Sequence, residues 1–464
     1  MASEVAPGYY MAPGRLADAL PLTGLTVTRS DSAMATGARR RNADSAMLAR
    51  HGDAAGRYAD LVGSSRGVVM KACQLLSLAG LPSDGSPEHQ AIYQWALAGP
   101  AERAPAMPAG LAADLAETEL GVPLHEVFTD FDPHPIATTA IGQVHKASLQ
   151  DGQEVAVKIQ YPGVERAIRD DLPESSDLSD NELLASFLRL GCGVTCVESD
   201  VPAIARELSA RISEEIDYRI EAANQDAFAA AYQGHPLVRI PETVPELCTA
   251  RVLTMDLSDG FSWERARSAP RHLRDRWGEV IYRFAVGSLT RLGMVNADPN
   301  PGNYLFHADG GVTFLDFGCV RRYSPRQIST VQAVMQAIAD SDAALLLEAM
   351  TDAGYVKTDD PPDAAALLAW LQATHVQVIA PQPYTYSHEY AAVLRGADLA
   401  RSGKFADVIT RLAIPADFLS IVRINLGVTA VLAGLRSTAE WAAIHREYAG
   451  GPAAGLISDC TAEG

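Results

Sequence analysis

Several features that mark other classes of protein are missing from this 464-residue sequence. Its six cysteines include no C-x-x-C pair, which argues against a zinc site and favours free thiols in a reducing compartment. Its formal net charge of -19 argues against a nucleic-acid-binding protein, because binding to phosphates relies on clustered lysine and arginine. The apolar run at 424–435 is much shorter than the roughly 20 residues of a membrane-spanning helix. These absences predict a cytoplasmic globular protein without a transmembrane segment.

The N-terminus also lacks the charged head and apolar core of a secretory signal. Residues 1–58 are rich in alanine, glycine, serine and arginine, and we interpret them as a flexible arm that leaves a peripheral membrane contact open. The hydrophobic content of 48% is sufficient for a large core. Three further regions are predicted: a helical extension at 59–125, a sheet-containing lobe at 126–257 and a helical lobe at 258–464.

Hydrophobic periodicity predicts where helices and strands alternate. Helices are predicted at 58–78, 87–98, 109–120, 201–228, 270–292, 325–338, 341–353, 362–378, 386–401, 403–412 and 415–447. Strands are predicted from about 127, over 136–147 with a small-residue turn, over 154–159 and within 241–257. The order indicates a sheet first and a mostly helical region after it.

The most informative stretch runs from 296 to 318 and reads N-A-D-P-N-P-G-N-Y-L-F-H-A-D-G-G-V-T-F-L-D-F-G. Asp298 is followed five residues later by Asn303, and a hairpin then leads to Asp316 at the start of an Asp-Phe-Gly tripeptide. Phosphoryl transfer needs a carboxylate that orients the attacking group, and amide and carboxylate oxygens as ligands of Mg²⁺. Asp298 is therefore the candidate base, Asn303 and Asp316 are candidate metal ligands, and ATP and Mg²⁺ are the expected cofactors.

Each half of this stretch has a plain structural alternative. The sequence D-P-N-P-G-N is also typical of a turn, and an isolated Asp-Phe-Gly tripeptide is common. Joined in this order by a hairpin of this length, the two halves favour nucleotide chemistry.

Upstream, Lys158 lies among apolar residues in the predicted strand E-V-A-V-K-I. This is the V-A-x-K arrangement in which a lysine contacts nucleotide phosphates. A buried lysine needs an anionic partner, and the helix predicted at 201–228 carries several acids. Glu214 and Glu221, seven residues apart, share a helical face, as do Asp217 and Glu221, four apart. Spacing alone does not choose the partner.

The last predicted strand before the helical lobe reads R-V-L-T-M-D-L. A linker between two lobes would pass at its end, where backbone groups can bind adenine. Met255 and Leu257 are the candidates for that contact.

Taken together, these motifs resemble the UbiB/AarF family of atypical, protein-kinase-like proteins associated with quinone and isoprenoid-lipid metabolism. The resemblance covers about 66–323 and rests on four motifs: I-G-Q-V-H from 141, V-A-V-K-I-Q-Y-P-G-V from 155, A-D-P-N-P-G-N from 297 and L-D-F-G from 315. It implies an α+β fold, a two-lobed protein-kinase-like fold with an N-terminal helical extension over the active site and a largely helical C-terminal lobe.

The resemblance also assigns residues that spacing left open. It implies that Glu221 is the partner of Lys158. It further implies that an alanine-rich turn replaces the glycine-rich phosphate loop of protein kinases. The residues that match this turn, and are candidates for nucleotide binding, are Ala137, Thr138, Thr139 and Ala140. Ala140 departs from the family pattern, which has a serine there.

A further implied element is a latch over the nucleotide site. Lys71 and Gln74 match the ends of the family's K-x-G-Q helix, and Cys73 stands where the family has glycine. Glu215 and Asp217 match the E-x-D element that faces this helix. The latch is expected to occupy the space where a protein kinase admits a peptide.

The implied function is that of an ATP-dependent phosphotransferase or ATPase that supports quinone or isoprenoid-lipid metabolism. The acceptor stays open among a small molecule, a lipid intermediate, a protein and water, and so does the oligomeric state. Two alternatives are a nucleotide-sensing binding protein with incidental turnover and a small-molecule kinase of the aminoglycoside type. Asp298, which binding alone would not need, favours an enzyme, and the alanine-rich turn weakens the small-molecule kinase.

Overall fold

The computed structural model describes residues 106–139, 141–163, 216–395, 404–413 and 416–450. An antiparallel sheet comes first in the chain and a largely helical region follows, so the predicted α+β, kinase-like fold class is confirmed. The elements of the first part are α1 (Ala109–Leu120), α2 (Leu124–Val127), β1 (Phe128–Thr138), β2 (Gly142–Leu149), β3 (Glu154–Gln160), α3 (Tyr218–Ala231), β4 (Val238–Arg239) and β5 (Val252–Asp256).

The main sheet joins four strands in the order β1, β2, β3 and β5, all antiparallel. β3 is an inner strand, and all of its residues after Glu154 are buried. Helix α1 packs against β1, β3 and β5, and α3 packs against β5. A strand covered in this way needs a nearly continuous apolar sequence, which the V-A-V-K-I run supplies except at Lys158, and the strand ends at the buried polar Gln160.

A buried polar chain ties the sheet to the residues before α1. The Gln143 carbonyl Oε1 accepts a hydrogen bond from the Met107 backbone N–H at 2.8 Å, and its Nε2 lies 2.7 Å from His145 Nε2. The other ring nitrogen of His145 lies 2.8 Å from the Asp132 carbonyl oxygen. Because burial lowers the pKa of His145, the neutral ring is the favoured form in this chain. The I-G-Q-V-H motif thus fixes the sheet rather than the chemistry.

The helical part contains most of the remaining elements. They are α4 (Trp263–Arg267), α5 (Arg271–Gly287), β6 (Met294–Asn296), β7 (Tyr304–Phe306), β8 (Val312–Phe314), β9 (Val320–Arg322), α6 (Pro325–Asp340), α7 (Ala343–Asp352), α8 (Ala364–Thr374), α9 (Val376–Ile379), β10 (Tyr384–Thr385), α10 (His388–Arg395), α11 (Ala406–Thr410), α12 (Ala416–Leu435), β11 (Thr438–Ala439) and α13 (Trp441–Gly450). Among the described residues, no helix has the length and apolar character needed to cross a membrane.

The buried apolar residues form three clusters. One lies between the main sheet, α1 and the start of α3, and the largest surrounds α5, α12 and the β7–β8 hairpin. A third joins α6, α7, α8 and α11. The site described below lies where the first two meet.

Two predicted elements are interrupted. The segment 241–257 contains only one strand, because its prolines cannot donate to a ladder and the Thr249 hydroxyl accepts from the N–H groups of Arg251 and Val252. The helix predicted at 415–447 breaks after Leu435, where Arg436 has φ 52°. There the Thr438 N–H donates to the Asp275 carboxylate at 2.8 Å, and β11 pairs with β10.

Three other helix predictions need smaller corrections. The helix predicted at 201–228 is not continuous, because Asp217 has an extended backbone and caps α3, which begins at Tyr218. The helix predicted at 362–378 divides at His375, whose φ of -132° is not helical. The helix predicted at 270–292 is α-helical only to Gly287, and a π-helical turn covers its last residues.

Candidate active site

The strand lysine lies in a buried ionic cluster. Lys158 Nζ is 2.8 Å from each carboxylate oxygen of Glu221 on α3 and 3.6 Å from Asp316 Oδ2. The Tyr218 ring centre lies 5.0 Å from the same Nζ. Only 7% of the Lys158 side chain and 4% of the Glu221 side chain are exposed, against 31% for Asp316. Asp316 is therefore the member of this cluster that solvent reaches.

The cluster keeps its lysine charged. Burial by itself lowers the pKa of Lys158, because a buried ammonium loses its hydration. The carboxylates of Asp316 and Glu221 outweigh that effect and hold the pKa well above its ordinary value. Removing either acid would leave part of this charge without compensation.

One face of helix α3 carries three buried polar residues and a phenylalanine. Four buried residues lie along that face at the i, i+3, i+4 and i+7 positions: Glu221, Asn224, Gln225 and Phe228. The Asn224 Nδ2 group donates to the Phe317 carbonyl at 3.1 Å, and the Phe228 and Phe317 rings lie 5.0 Å apart. The helix that holds the lysine partner therefore also holds the Asp-Phe-Gly segment.

A strand pair brings the two aspartates together. β6 pairs antiparallel with β9, so Asp298, after β6, and Asp316, before β9, emerge at the same end of the pair. The Ala297 N–H donates to the Cys319 carbonyl at 2.7 Å and closes this end. The intervening β7–β8 hairpin spans the sequence between them.

Asn303 is fixed next to Asp298 by a short 3₁₀ turn. The Asn300 side chain accepts from the Gly302 N–H at 2.9 Å, and the Asn300 carbonyl accepts from the Asn303 N–H at 2.9 Å. The Asn303 Nδ2 group lies 3.3 Å from the Asp298 carbonyl and 3.4 Å from Asp298 Oδ2. Because the amide nitrogen faces Asp298, the amide oxygen is the atom that can meet a cation. Carboxylate and amide oxygens suit Mg²⁺, so Asp316 and Asn303 fit the predicted ligand set.

The loop of Asp298 rests on the helical lobe. A Cβ at Gly427 of α12 would lie 2.3 Å from Pro299 Cγ, which is closer than atoms of a rigid ring can allow. Helix α12 therefore packs directly against the loop, and only glycine fits at that contact.

The predicted alanine-rich turn is shorter than expected. Ala137 and Thr138 belong to β1 and pair with Val144 and Gln143, which corrects their prediction as part of the turn. Thr139 makes the turn, since its hydroxyl accepts from the Gly142 N–H at 3.0 Å.

Gly142 closes this turn against the buried cluster. A Cβ at Gly142 would lie 2.5 Å from the Ile159 carbonyl oxygen and 2.7 Å from the Tyr218 hydroxyl. Ala140 lies outside the described residues.

The two hinge candidates differ in their surroundings. The Met255 side chain is buried, with its sulfur 3.4 Å from Gln225 Nε2. The Leu257 N–H donates to the Glu154 carbonyl at 3.1 Å. An adenine contact through that N–H would have to replace this hydrogen bond.

Of the latch residues, only Asp217 is described. It forms the N-cap of α3, accepting from the Arg219 N–H at 3.0 Å, and pairs with the Arg219 guanidinium at 2.6 Å. Hydrogen bonds from the Arg219 side chain lower the pKa of Asp217. Lys71, Gln74 and Glu215 lie outside the described residues, so the latch stays a prediction.

No sequence motif assigns a role to Asn224, Gln225, Asn296 or Gly427. The available signal for the first two was polarity on an otherwise apolar helical face, three and four residues after Glu221. Asn296 lies at the end of β6, where its Nδ2 group donates to the Asp316 carbonyl at 2.8 Å. Such roles depend on contacts between distant segments, which spacing does not encode.

A sheet lobe whose strand lysine pairs with a helix glutamate, joined to a helical lobe that carries the Asp298 and Asp316 loops, defines a protein-kinase-like protein. The family model for the ABC1 atypical kinase-like domain matches residues 101–350, and the chain belongs to this family. The resemblance to UbiB/AarF proteins is thereby confirmed.

Two relatives have names that contain the word kinase. The chain is 31% identical over 295 residues to the mitochondrial atypical kinase COQ8B of Rattus norvegicus, covering 63% of this chain and 52% of that protein. It is 30% identical over 277 residues to the chloroplastic protein ACTIVITY OF BC1 COMPLEX KINASE 1 of Arabidopsis thaliana, covering 58% of this chain and 39% of that protein. The matches thus span about half or less of these relatives.

A solved structure has a similar fold. The complex of Rv3197 with erythromycin, from Mycobacterium tuberculosis, aligns with a TM-score of 0.60 at 27% identity. The alignment covers 75% of this chain and 84% of that chain.

Proposed function

We propose that this protein binds Mg²⁺-ATP between its two lobes and transfers or hydrolyses the γ-phosphate. The observation that carries this proposal is the contact of Lys158 with both Glu221 and Asp316. It joins the residue types that hold nucleotide phosphates and metal in kinases within one buried cluster. Membership of an atypical kinase-like family supports the same reading.

Each residue of the cluster has a distinct part in this proposal. Lys158 binds the phosphates and Glu221 holds its ammonium in place. Asp316 and Asn303 provide the oxygen ligands for Mg²⁺. When bound there, the metal neutralises charge on the phosphate oxygens.

Asp298 orients the attacking group. Asn303 Nδ2 lies 3.4 Å from Asp298 Oδ2, so the amide and the carboxylate are neighbours in the site. In transfer to a hydroxyl, the acceptor oxygen forms a bond to the γ-phosphorus, the bridging oxygen leaves with ADP, and the acceptor proton passes to Asp298.

We extend the proposal to a role in quinone or isoprenoid-lipid metabolism. The resemblance to UbiB/AarF proteins supports this extension, and the erythromycin complex of Rv3197 keeps a small molecule among the candidate ligands. The acceptor is a small molecule, a lipid intermediate, a protein or water. Mass spectrometry of small molecules extracted from protein purified from its native host would separate isoprenoid or quinone intermediates from water-soluble metabolites.

We also propose that the predicted regions at 1–58, 59–125, 126–257 and 258–464 are an arm, a helical extension and two lobes. In this scheme, Lys71 and Gln74 face Glu215 and Asp217 over the nucleotide, and the turn at Thr139 covers the phosphates. Hydrogen exchange of residues 66–78 with and without Mg²⁺-ATP would test the latch, which requires protection by nucleotide.

A single-turnover experiment tests the enzyme against a nucleotide-sensing binding protein. Phosphate release from Mg²⁺-ATP is measured with wild type and with Asp298→Asn, and nucleotide binding is measured in parallel. If the protein is an enzyme, wild type should release phosphate and Asp298→Asn should not, while both proteins should bind the nucleotide. Equal release by both, or binding by wild type without release, would support the binding protein instead.

A further inference from the structure

Asp316 has an unusual backbone conformation for a residue with a side chain. Its φ is 59°, in the left-handed region that Cβ atoms disfavour. Such a conformation persists only when neighbouring groups hold it in place. The residue concerned is the carboxylate that faces Lys158 at 3.6 Å, so its backbone conformation decides where that carboxylate points.

Two buried asparagines hold this conformation. Asn296 Nδ2 donates to the Asp316 carbonyl at 2.8 Å, and Asn224 Nδ2 donates to the following carbonyl, that of Phe317, at 3.1 Å. Asn296 belongs to β6, which leads into the Asp298 loop, whereas Asn224 belongs to α3. Two consecutive carbonyls are thus fixed by two elements that also carry other parts of the site.

The amide of Asn224 is itself fixed at both ends. Its Oδ1 accepts from the Arg322 guanidinium at 2.8 Å, while its Nδ2 donates to Phe317. Only 5% of the residue is exposed. A flip of the amide would break both bonds, and the Phe317 carbonyl, which can only accept, by itself favours the Nδ2 group over the amide oxygen.

A closed circuit of contacts follows from this arrangement. Lys158 contacts Glu221, Glu221 and Asn224 lie one turn apart on α3, Asn224 holds Phe317, and the adjoining Asp316 returns to Lys158. We infer that Asn224 is a positioning residue that couples the placement of α3 to the orientation of the Asp316 carboxylate. The inference rests on the proposed role of Asp316 as a ligand of Mg²⁺.

The ordinary alternative is that Asn224 only satisfies a buried polar position. In that case its loss lowers the free energy of unfolding without changing the metal requirement. A positioning role predicts a separate effect on Mg²⁺, because a carboxylate that is less well oriented binds the cation less well.

The substitution Asn224→Asp removes one of the two hydrogen bonds of the amide and keeps the other. The aspartate still accepts from Arg322 but cannot donate to the Phe317 carbonyl. Its added negative charge would by itself attract a cation, so weaker Mg²⁺ binding cannot come from charge. Arg322→Gln is the matched control, since it removes the Arg322 bond and keeps the Asn224 donor.

The measurement is a Mg²⁺ titration at fixed ATP by calorimetry, with ATP affinity in EDTA and thermal stability recorded for each protein. For Asn224→Asp we expect the half-saturating Mg²⁺ concentration to rise about fivefold to tenfold, as for loss of one hydrogen bond, with unchanged affinity in EDTA. Arg322→Gln should keep the wild-type Mg²⁺ requirement.

An unchanged Mg²⁺ requirement in Asn224→Asp would overturn the inference while leaving the proposed function standing, and so would an equal rise in Arg322→Gln. Failure of wild type to bind Mg²⁺-ATP would overturn both. If Asn224→Asp does not fold, Asn224→Ala carries the same expectation, and failure of both to fold would make the residue purely structural and overturn the inference.

Discussion

Two polar centres buried in the described residues differ in charge. Around Lys158 the groups are ionic, and Asp316 connects them to solvent. Around His445 the groups are neutral: its Nε2 lies 3.0 Å from the Met335 carbonyl and its Nδ1 3.3 Å from the Tyr282 hydroxyl.

This difference in charge makes the centre around Lys158 the candidate site and the centre around His445 a packing element. A buried charge is costly unless it is paired, so an ionic cluster that reaches solvent is the better candidate for chemistry. Burial lowers the pKa of His445 to about 3, so that ring stays neutral at ordinary pH. A neutral ring with both nitrogens in contact stabilises the helical lobe and needs no ligand.

The largest expected effect is on the ionic centre. Asp316→Asn should lower Mg²⁺-dependent ATP affinity by at least about 100-fold, more than the loss of a group outside the metal's own ligands. Thermal shift with and without Mg²⁺-ATP measures this change. Asp298→Asn is the control, because it should keep binding; equal losses in both variants would contradict the separate roles of the two aspartates.

A double-mutant cycle should reveal the coupling of Lys158 and Glu221. Lys158→Met, Glu221→Gln and the combined variant should show an interaction free energy of roughly 0.5–3 kcal/mol in ATP binding, as residues in contact do. Lys146 and Glu154 provide a matched control, since their ion pair is 42% and 56% exposed. That pair should contribute nothing measurable to ATP affinity, and additive effects at Lys158 and Glu221 would argue against their coupling.

The neutral centre should appear in the pH dependence of folding. Since the pKa of His445 is about 3 in the folded protein, below its ordinary 6.5, the unfolded chain binds a proton that the folded one excludes. The contribution of neutral His445 to the free energy of unfolding is complete above pH 6.5. As the pH falls from 6.5 toward 3, that free energy decreases by up to about 1.4 kcal/mol per pH unit.

Thermal unfolding between pH 8 and pH 5 tests this expectation. His445→Gln keeps a donor for the Met335 carbonyl and cannot titrate, so its stability should fall less steeply with acid than that of wild type. The pKa of His375, whose ring centre is 6.2 Å away, is also lowered by burial, so a smaller slope should remain. Identical slopes in both proteins would exclude His445 as a contributor.

The smallest expected effect concerns a neutral group inside the ionic centre. The Tyr218 hydroxyl is buried without a hydrogen-bond partner among the described residues, while its ring lies beside Lys158. Tyr218→Phe keeps the ring and removes the hydroxyl, and it should stabilise the protein by about 1 kcal/mol. Chemical denaturation measures the change, with Tyr218→Leu as the control that loses the ring; a marked loss of stability in Tyr218→Phe would mean that the hydroxyl is satisfied.

Features of the fold and site that depend on neighbouring residues could be predicted from the sequence, whereas those that depend on contacts between distant segments could not. The helix at 109–120, the order of the motifs and the fold class follow from local periodicity and from residue types that few functions share. Glu221 followed only from the resemblance, because three acids on one helix have equivalent spacing. No motif assigns a role to Asn224 or Asn296, because each acts on a carbonyl that only folding brings near: Phe317 for Asn224 and Asp316 for Asn296.

The mistaken predictions have a related cause. The helix predicted at 415–447 has continuous apolar periodicity, yet two groups of α5 stop it. The Asp275 carboxylate accepts from the Thr438 N–H, and the Arg274 carbonyl accepts from the Ser437 hydroxyl. Hydrogen bonds from another helix thus outweigh local preference.

The contact of Gly427 with Pro299 has a consequence for how related sequences diverge. Because a side chain at 427 would occupy the volume of the ring at 299, the two positions are expected to covary. A lineage that acquires a larger residue in the helix must lose the proline or shift the loop of Asp298 with it. An alignment of many homologues would therefore record this contact as a paired substitution pattern between positions that are 128 residues apart in the chain (427 minus 299).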